Sequence, residues 1–135
     1  MADKTNNVLE SEAAKHYTLA REYMASRASG SLLSAIAEFE KVVAIDPDYS
    51  DARERLEYAL EEKKGILEYI YDFEQILATN PDDIPTRYDL AYYFRTLGRD
   101  EEAIHHWRIV GRMEYPDWSK SARKMLRKHY QIIES

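Results

Sequence analysis

Apolar side chains recur three and four positions apart over most of the chain, the spacing that places them on one face of an α-helix. The pattern begins at Leu9 and stops at Ser29-Gly30-Ser31, a sequence typical of helix ends. It resumes at Leu32 and stops before Pro47, because a proline disfavours the helical conformation in the residue that precedes it. Nowhere do apolar and polar residues alternate over the length of a strand. The pattern therefore predicts an all-α fold.

Three prolines lie at nearly equal intervals, each just after an apolar helical segment. Pro47 and Pro81 are 34 positions apart, and Pro81 and Pro116 are 35 positions apart. A period of this length is typical of stacked helical hairpins. A turn signal lies near the middle of each hairpin, at residues 27–30, Gly65 and Gly98. We therefore predict three helix-turn-helix repeats, which span about residues 13–47, 48–81 and 82–116.

The third repeat contains a motif that resembles the tetratricopeptide repeat. That family has the pattern Trp-x2-Leu-Gly-x2-Tyr, then Ala-x3-Phe, then a closing Pro. The corresponding residues here are Leu90-Ala91-x2-Phe94, Ala103-x3-Trp107 and Pro116. Ala91 replaces the family's Gly, and Arg87 occupies the position of its Trp. The small residue Ala103 lies where the two helices of a hairpin would cross closely.

The first repeat follows the same pattern, and the second follows it more weakly. The matching residues of the first repeat are Leu19-Ala20-x2-Tyr23, Ala35-x3-Phe39 and Pro47. In the second repeat Glu57 takes the small position and Tyr69 takes the Ala position, so that its assignment depends mainly on the period. The resemblance implies a tetratricopeptide-like α-solenoid of three repeats.

The two ends of the chain are predicted to differ from the repeats. Residues 1–8 are mostly polar and are predicted to form a disordered leader, whereas residues 9–135 form a single domain. Residues 117–134 have an amphipathic pattern that predicts a C-terminal capping helix, which would cover the end of the stack. Its predicted apolar stripe consists of Trp118, Ala122, Met125, Leu126, His129, Tyr130 and Ile133.

Tetratricopeptide repeat proteins bind other proteins, so the resemblance implies a non-catalytic scaffold or adaptor. Their partner, a peptide or a protein surface, lies in a concave groove lined by the first helix of each repeat. If Leu90, Ala91 and Phe94 face inward, positions about 100° around the helix face this groove. Over the three repeats, the predicted groove residues are Tyr17, Arg21, Met24, Glu54, Tyr58, Glu61, Tyr88, Tyr92 and Arg95.

Tyrosine and arginine are enriched in binding hot spots, because they bury a large area and keep a polar group. The alternative is that these tyrosines pack between helices and take no part in recognition. Many members of the family clamp a partner's C-terminal carboxylate with Lys and Asn. The clamp positions here hold Tyr17, Arg21, Arg55 and Asp89, so a receptor for chaperone tails is not predicted.

Charge is distributed unevenly along a chain whose net charge is −6. Residues 48–83 carry eleven acidic and four basic side chains, whereas residues 117–135 carry five basic and two acidic ones. The five basic residues are Lys120, Arg123, Lys124, Arg127 and Lys128. Such a helix face could bind nucleic acid or an anionic membrane surface, which is the first alternative function. A solvated outer face is the simpler interpretation, and the acidic region disfavours nucleic acid because it repels phosphates.

Several kinds of catalytic and metal site lack the residues that they require. The absence of cysteine excludes disulfides, thiolate nucleophiles and zinc thiolate clusters. No two of the four histidines have the spacing of four that a helical metal pair needs, and the adjacent His105 and His106 are predicted to be solvated or at an interface. We therefore predict no enzyme, no metal, no cofactor and no small-molecule substrate. A second alternative is a non-catalytic subunit of an enzyme whose chemistry lies on another chain.

The sequence also bears on location and assembly. No run of residues approaches the length of about 20 apolar positions needed to span a bilayer, and the polar first residues lack the apolar core of a signal peptide. Together with the absence of cysteine, this favours a cytoplasmic protein. The ends and groove of a three-repeat stack would expose apolar surface, so a homo-oligomer could also form.

Overall fold

The computed structural model describes residues 4–133, with side chains from residue 7 onwards. Within this range six α-helices follow one another, and there is no strand, which confirms the all-α prediction. The helices are α1 (Lys4–Ala25), α2 (Ser31–Ile45), α3 (Ala52–Thr79), α4 (Ile84–Thr96), α5 (Asp100–Gly111) and α6 (Pro116–Tyr130). The chain divides into two compact units, Met1–Gly65 and Ile66–Ser135, and α3 contributes its first half to one and its second half to the other.

The first unit is built on a hairpin of α1 and α2. Gly30 makes the turn with a φ of 72°, in the left-handed region that glycine adopts without strain. The hairpin packs through small side chains, because alanines let two helix backbones approach closely. The buried core of the first unit includes Ala13, Ala20, Ala35, Phe39 and Val42, together with Ala52 at the start of α3. The stripe of α1 that includes Tyr17 and Met24 packs against this core, whereas Leu19 and Tyr23 of the family-like motif remain partly exposed.

Helix α1 begins earlier than the sequence predicted. It starts at Lys4, so the predicted disordered leader is wrong for residues 4–8, and residues 1–3 lie outside the described residues. A polar segment can extend an established helix, because each added residue gains a backbone hydrogen bond without a new nucleation step. The side chains of Val8 and Leu9 are exposed, so tertiary burial contributes little to this first part of the helix.

Helix α3 is continuous over 28 residues, and the turn predicted at Gly65 does not form. The helix-turn-helix predicted for residues 48–81 is therefore wrong, and so is the three-hairpin solenoid that depended on it. A glycine inside a helix costs only about 1 kcal/mol relative to alanine. The neighbouring residues Glu61 to Lys64 and Leu67 to Glu68 are good helix formers, and no proline or second turn residue stands beside Gly65.

We expect Gly65→Ala to raise the free energy of unfolding by about 0.5–1 kcal/mol. No neighbouring group lies within 4 Å of the position that the new methyl group would occupy. Urea denaturation followed by far-UV circular dichroism measures the change. Gly98→Ala is the control, and it should be destabilising because Gly98 has a φ of 74°. A loss of stability in Gly65→Ala would show that α3 needs a glycine at this point.

The second unit contains a hairpin of α4 and α5, whose turn at Gly98 was predicted correctly. Asp83 caps α4 by accepting a hydrogen bond from the Thr86 backbone N–H at 3.1 Å. The residues predicted to face inward are buried, which confirms this part of the pattern. They are Leu90, Ala91, Phe94, Ala103 and Trp107.

Helix α6 packs against α5 through Ala122 and Leu126. The buried Ser119 hydroxyl lies within hydrogen-bond distance of the backbone carbonyl oxygens of Met113, at 2.6 Å, and Val110, at 3.1 Å. The helix ends at Tyr130, earlier than the predicted end at residue 134, which itself lies outside the described residues. Gln131 has a left-handed φ of 54° and ends the helix, so Ile133 is exposed and is not part of the apolar stripe.

Candidate partner-binding surface

A pocket of about 230 Å³ opens on the surface of the first unit. Met24 of α1 and the buried Phe39 of α2 supply its apolar wall, and Tyr58 of α3 supplies an aromatic edge that is 61% exposed. The polar lining comes from Asp51, Glu54 and Arg55, at the start of α3. The fold therefore brings three of the predicted groove residues, Met24, Glu54 and Tyr58, to one site.

Asp51 holds the polar side of this pocket in place. The Tyr17 hydroxyl donates to its Oδ1 at 2.5 Å, and Arg55 Nε donates to its Oδ2 at 2.8 Å. The hydrogen bond from Tyr17, and then the charge and hydrogen bond of Arg55, hold the pKa of Asp51 below its usual value. The Asp51 carboxylate in turn raises the pKa of Arg55. Both side chains therefore keep their charges over the ordinary pH range and fix α1 against the start of α3.

Beside the pocket, the first half of α3 carries what we call the acidic stripe. Its members are Glu54, Glu57, Tyr58, Glu61 and Glu62, and all five side chains are exposed. Steps of three and four residues place them on one face of the helix. A hydrogen bond to the Glu62 carboxylate raises the pKa of the Tyr58 hydroxyl. The surface thus combines an apolar pocket, an exposed tyrosine and four carboxylates.

The remaining predicted groove residues have mixed environments. Tyr17 packs edge-on against Phe39 and Tyr49, so it belongs mainly to the core of the first unit. Arg21 is exposed, and its guanidinium lies 5.8 Å from the centre of the Tyr17 ring. The contacts of Tyr17 therefore favour the alternative interpretation, in which the tyrosine packs between helices and takes no part in recognition.

The three predicted residues on α4 belong to the second unit. Tyr88 lies edge-on to Trp107 and Trp118, and burial raises the pKa of its hydroxyl, so it too is a packing residue. Tyr92 is 48% exposed, whereas Arg95 is partly buried. Of these three side chains, only Tyr92 presents a large surface to solvent.

Sequence reasoning missed several residues of these surfaces. Phe39 was identified only as a position of the repeat motif, and nothing in the sequence indicates that Asp51 would join Tyr17 across 34 positions. In the second unit, Tyr69 stacks on Tyr93 with ring centres 5.4 Å apart and planes 10° apart, and Tyr69 remains half exposed. The only sequence signal for this pair was the high tyrosine content of α3 and α4.

The basic residues of α6 lie on one exposed face, which we call the basic stripe. It consists of Lys120, Arg123, Lys124, Arg127 and Lys128. Arg123 Nη1 donates to the backbone carbonyl of Gly111 at 3.0 Å, which ties the stripe to the end of α5. The predicted position of these side chains on the outer face of the last helix agrees with their exposure.

The histidines differ from one another more than their sequence suggested. His105 is exposed, but His106 is partly buried, stacks on Phe94 and places Nδ1 3.0 Å from Arg87 Nη1. The prediction of a solvated ring is therefore wrong for His106, because the hairpin packs this ring between α5 and α4. Burial, and then the positive charge of Arg87, lower the pKa of His106 to about 4. Within residues 4–133, no group of three potential metal-ligand side chains occurs.

Comparisons of the chain with protein-family models, with curated protein sequences and with solved structures gave no match. In the described part of the chain, no helix is both long enough and apolar enough to cross a bilayer.

Proposed function

We propose that this protein is a non-catalytic interaction module that binds a segment of a partner protein at the pocket and the acidic stripe. The observation that supports this best is the pocket itself, where apolar Met24 and Phe39 lie next to the exposed ring of Tyr58. A tyrosine beside an apolar cavity is a typical binding hot spot, because an inserted side chain buries area on several sides at once. The partner contributes an apolar side chain to this cavity.

The charges around the pocket indicate which residues flank that side chain. Asp51 is already paired with Arg55, so its charge is compensated within the chain. Glu54, Glu57 and Glu61 have no such partner among the described residues. Lysine or arginine in the partner would complement these carboxylates, steer the encounter and fix the register of binding. The proposed ligand is therefore a basic segment with an apolar anchor.

A role in binding without catalysis fits the protonation chemistry of the site. The pKa of Asp51 is lowered and that of Arg55 is raised, so neither group exchanges protons readily near neutral pH. The hairpin of α4 and α5 supports the resemblance to a tetratricopeptide repeat, since Ala103 and Trp107 are buried as that motif requires. We infer that the chain is a degenerate relative whose middle repeat has become a single helix.

The test is selection of binders from a random-peptide display library on the immobilised full chain. We expect enrichment of peptides with an apolar residue between lysines or arginines. Tyr58→Ala should weaken their binding at least about tenfold, as expected for a hot-spot residue. Tyr71→Ala is the matched control, because Tyr71 is 65% exposed and is not among the residues that line the pocket.

The peptides should bind Tyr71→Ala as well as they bind the parent, and both variants should melt at the parent's temperature because both rings are mostly solvated. Equal affinity of the peptides for Tyr58→Ala and the parent would refute the pocket as the binding site. Failure to enrich any peptide would count against the proposed function as a whole.

A further inference from the structure

The acidic stripe and the basic stripe have the same spacing along their helices. From Glu54 the acidic stripe advances by three, one, three and one residues, and the basic stripe advances by the same steps from Lys120. All ten side chains are exposed. Because equal steps give equal angles around an α-helix, the two stripes are matching surfaces of opposite charge.

The match places the two central residues opposite each other. When the stripes face one another in register, Tyr58 meets Lys124 whether the helices run parallel or antiparallel, since each is the middle member of its stripe. In the antiparallel arrangement Glu54 then faces Lys128, and Glu62 faces Lys120. Glu57 and Glu61 are offset by two residues from Arg127 and Arg123, about 3 Å along the helix, which long side chains can span. An ammonium group over a tyrosine ring adds a cation–π contact to these ion pairs.

We propose that α6 of a second copy of this chain is the partner segment that occupies the acidic stripe. The proposal rests on the proposed function, because it names the source of the basic residues that pair with the acidic stripe beside the pocket. The basic stripe itself carries no apolar side chain for the pocket. Charge complementarity is the main argument. Glu57 and Glu61 on one side, and Lys124 and Arg127 on the other, have no ion-pair partner among the described residues.

The same reasoning favours a protein over a phosphate-bearing ligand for the basic stripe. The chain as a whole carries a net charge of −6, which opposes approach to a nucleic acid or an anionic membrane and also repels a second copy, so that association of two copies depends on the local match of the two stripes. A second copy presents the acidic stripe at the same concentration as the basic one. Individual exposed ion pairs contribute little, so the association depends on several pairs together and is sensitive to salt.

Charge reversal in the full-length chain tests the proposal by analytical ultracentrifugation. One double variant, Glu57→Lys with Glu61→Lys, makes the acidic stripe basic, and another, Lys124→Glu with Arg127→Glu, makes the basic stripe acidic. We expect the parent's mass to rise with concentration at low salt. Each variant alone should associate at least about tenfold more weakly, and so should the parent when salt is raised from about 0.05 M to about 0.5 M.

Mixing the two double variants should restore association, because each then meets a stripe of opposite charge on the other. The control is Glu68→Lys with Glu74→Lys, which changes charge equally at exposed positions in the second half of α3 and should associate like the parent. Circular dichroism checks that each variant remains helical. Failure of the mixture to associate would overturn the pairing of the stripes.

The outcomes separate this inference from the proposed function. A parent that stays monomeric at low salt, while library peptides still bind through Tyr58, would overturn the second copy as the occupant and leave the interaction module intact. The same monomer, binding anionic vesicles or duplex DNA in a way that Lys124→Glu with Arg127→Glu abolishes, would assign the basic stripe to a phosphate-bearing ligand instead. Peptide binding lost together with self-association would reject both proposals.

Discussion

Trp107→Ala should lower the free energy of unfolding of the second unit by about 3–5 kcal/mol. Trp107 is fully buried and is the largest such side chain among the described residues. Its ring contacts Tyr88 of α4 and both His129 and Tyr130 of α6, with ring centres 6.2–6.4 Å apart. Truncation therefore leaves a cavity where three helices meet, in addition to the lost burial of an apolar side chain.

The other tryptophan provides the control for this variant. Trp118 is 37% exposed and has one ring contact, with Tyr88, so we expect Trp118→Ala to cost about 1 kcal/mol. Each variant keeps one tryptophan in the second unit, so urea denaturation followed by intrinsic fluorescence reports on that unit in both. Equal losses in the two variants would contradict a central role for Trp107 in joining α4, α5 and α6.

The second unit should also lose stability as the pH falls from 7 to 4, in large part through His106. The folded pKa of His106 is lowered to about 4, below an ordinary value of 6.5. Protons therefore bind the unfolded chain more readily, so the contribution of His106 is complete above pH 6.5 and decreases as the pH falls toward 4. Linkage gives a loss of about 2 kcal/mol at about pH 5 and about 3 kcal/mol at about pH 4.

His106→Gln isolates this effect because a glutamine does not titrate. We expect the difference in unfolding free energy between the parent and His106→Gln to change with pH by about 2–3 kcal/mol. The neighbouring His105 is exposed, so His105→Gln should keep the parent's pH dependence. His129, whose pKa burial also lowers, contributes in the same direction and remains in both variants. Parallel curves for the parent and His106→Gln would show that His106 titrates normally in the folded protein.

The two hairpins were predictable because their ends carry strong local signals. Gly30 and Gly98 both adopt the left-handed backbone that glycine enters without strain, and Pro47 prevents continuation of α2. The turn predicted at Gly65 does not form, because a lone glycine with a helical φ does not have to end a helix. The interval of 34 residues from Pro47 to Pro81 therefore contains one continuous helix and no turn at its centre.

The candidate site was predictable only in part. The exposed tyrosines Tyr58 and Tyr92 and the packed Tyr17 and Tyr88 have the same helical phase in the sequence, yet their environments differ. Helical phase shows which side chains share a face of a helix. Whether a side chain on that face is buried depends on whether a neighbouring helix packs against it at the same position along the helix axis. At Tyr88 the tryptophans of α5 and α6 do so, and on the solvent side of Tyr58 no helix of the first unit does.

Local chemistry was enough to establish the helical class, the two hairpins and the charged faces of α3 and α6, because backbone preferences and the 3.6-residue period act over a few neighbouring residues. Folding was needed to unite Met24, Phe39 and Tyr58 in a pocket, to join Tyr17 to Asp51 and to bury His106 against Phe94. These contacts bring together residues far apart in the chain. Their energies depend on desolvation and packing between helices, which no local pattern records.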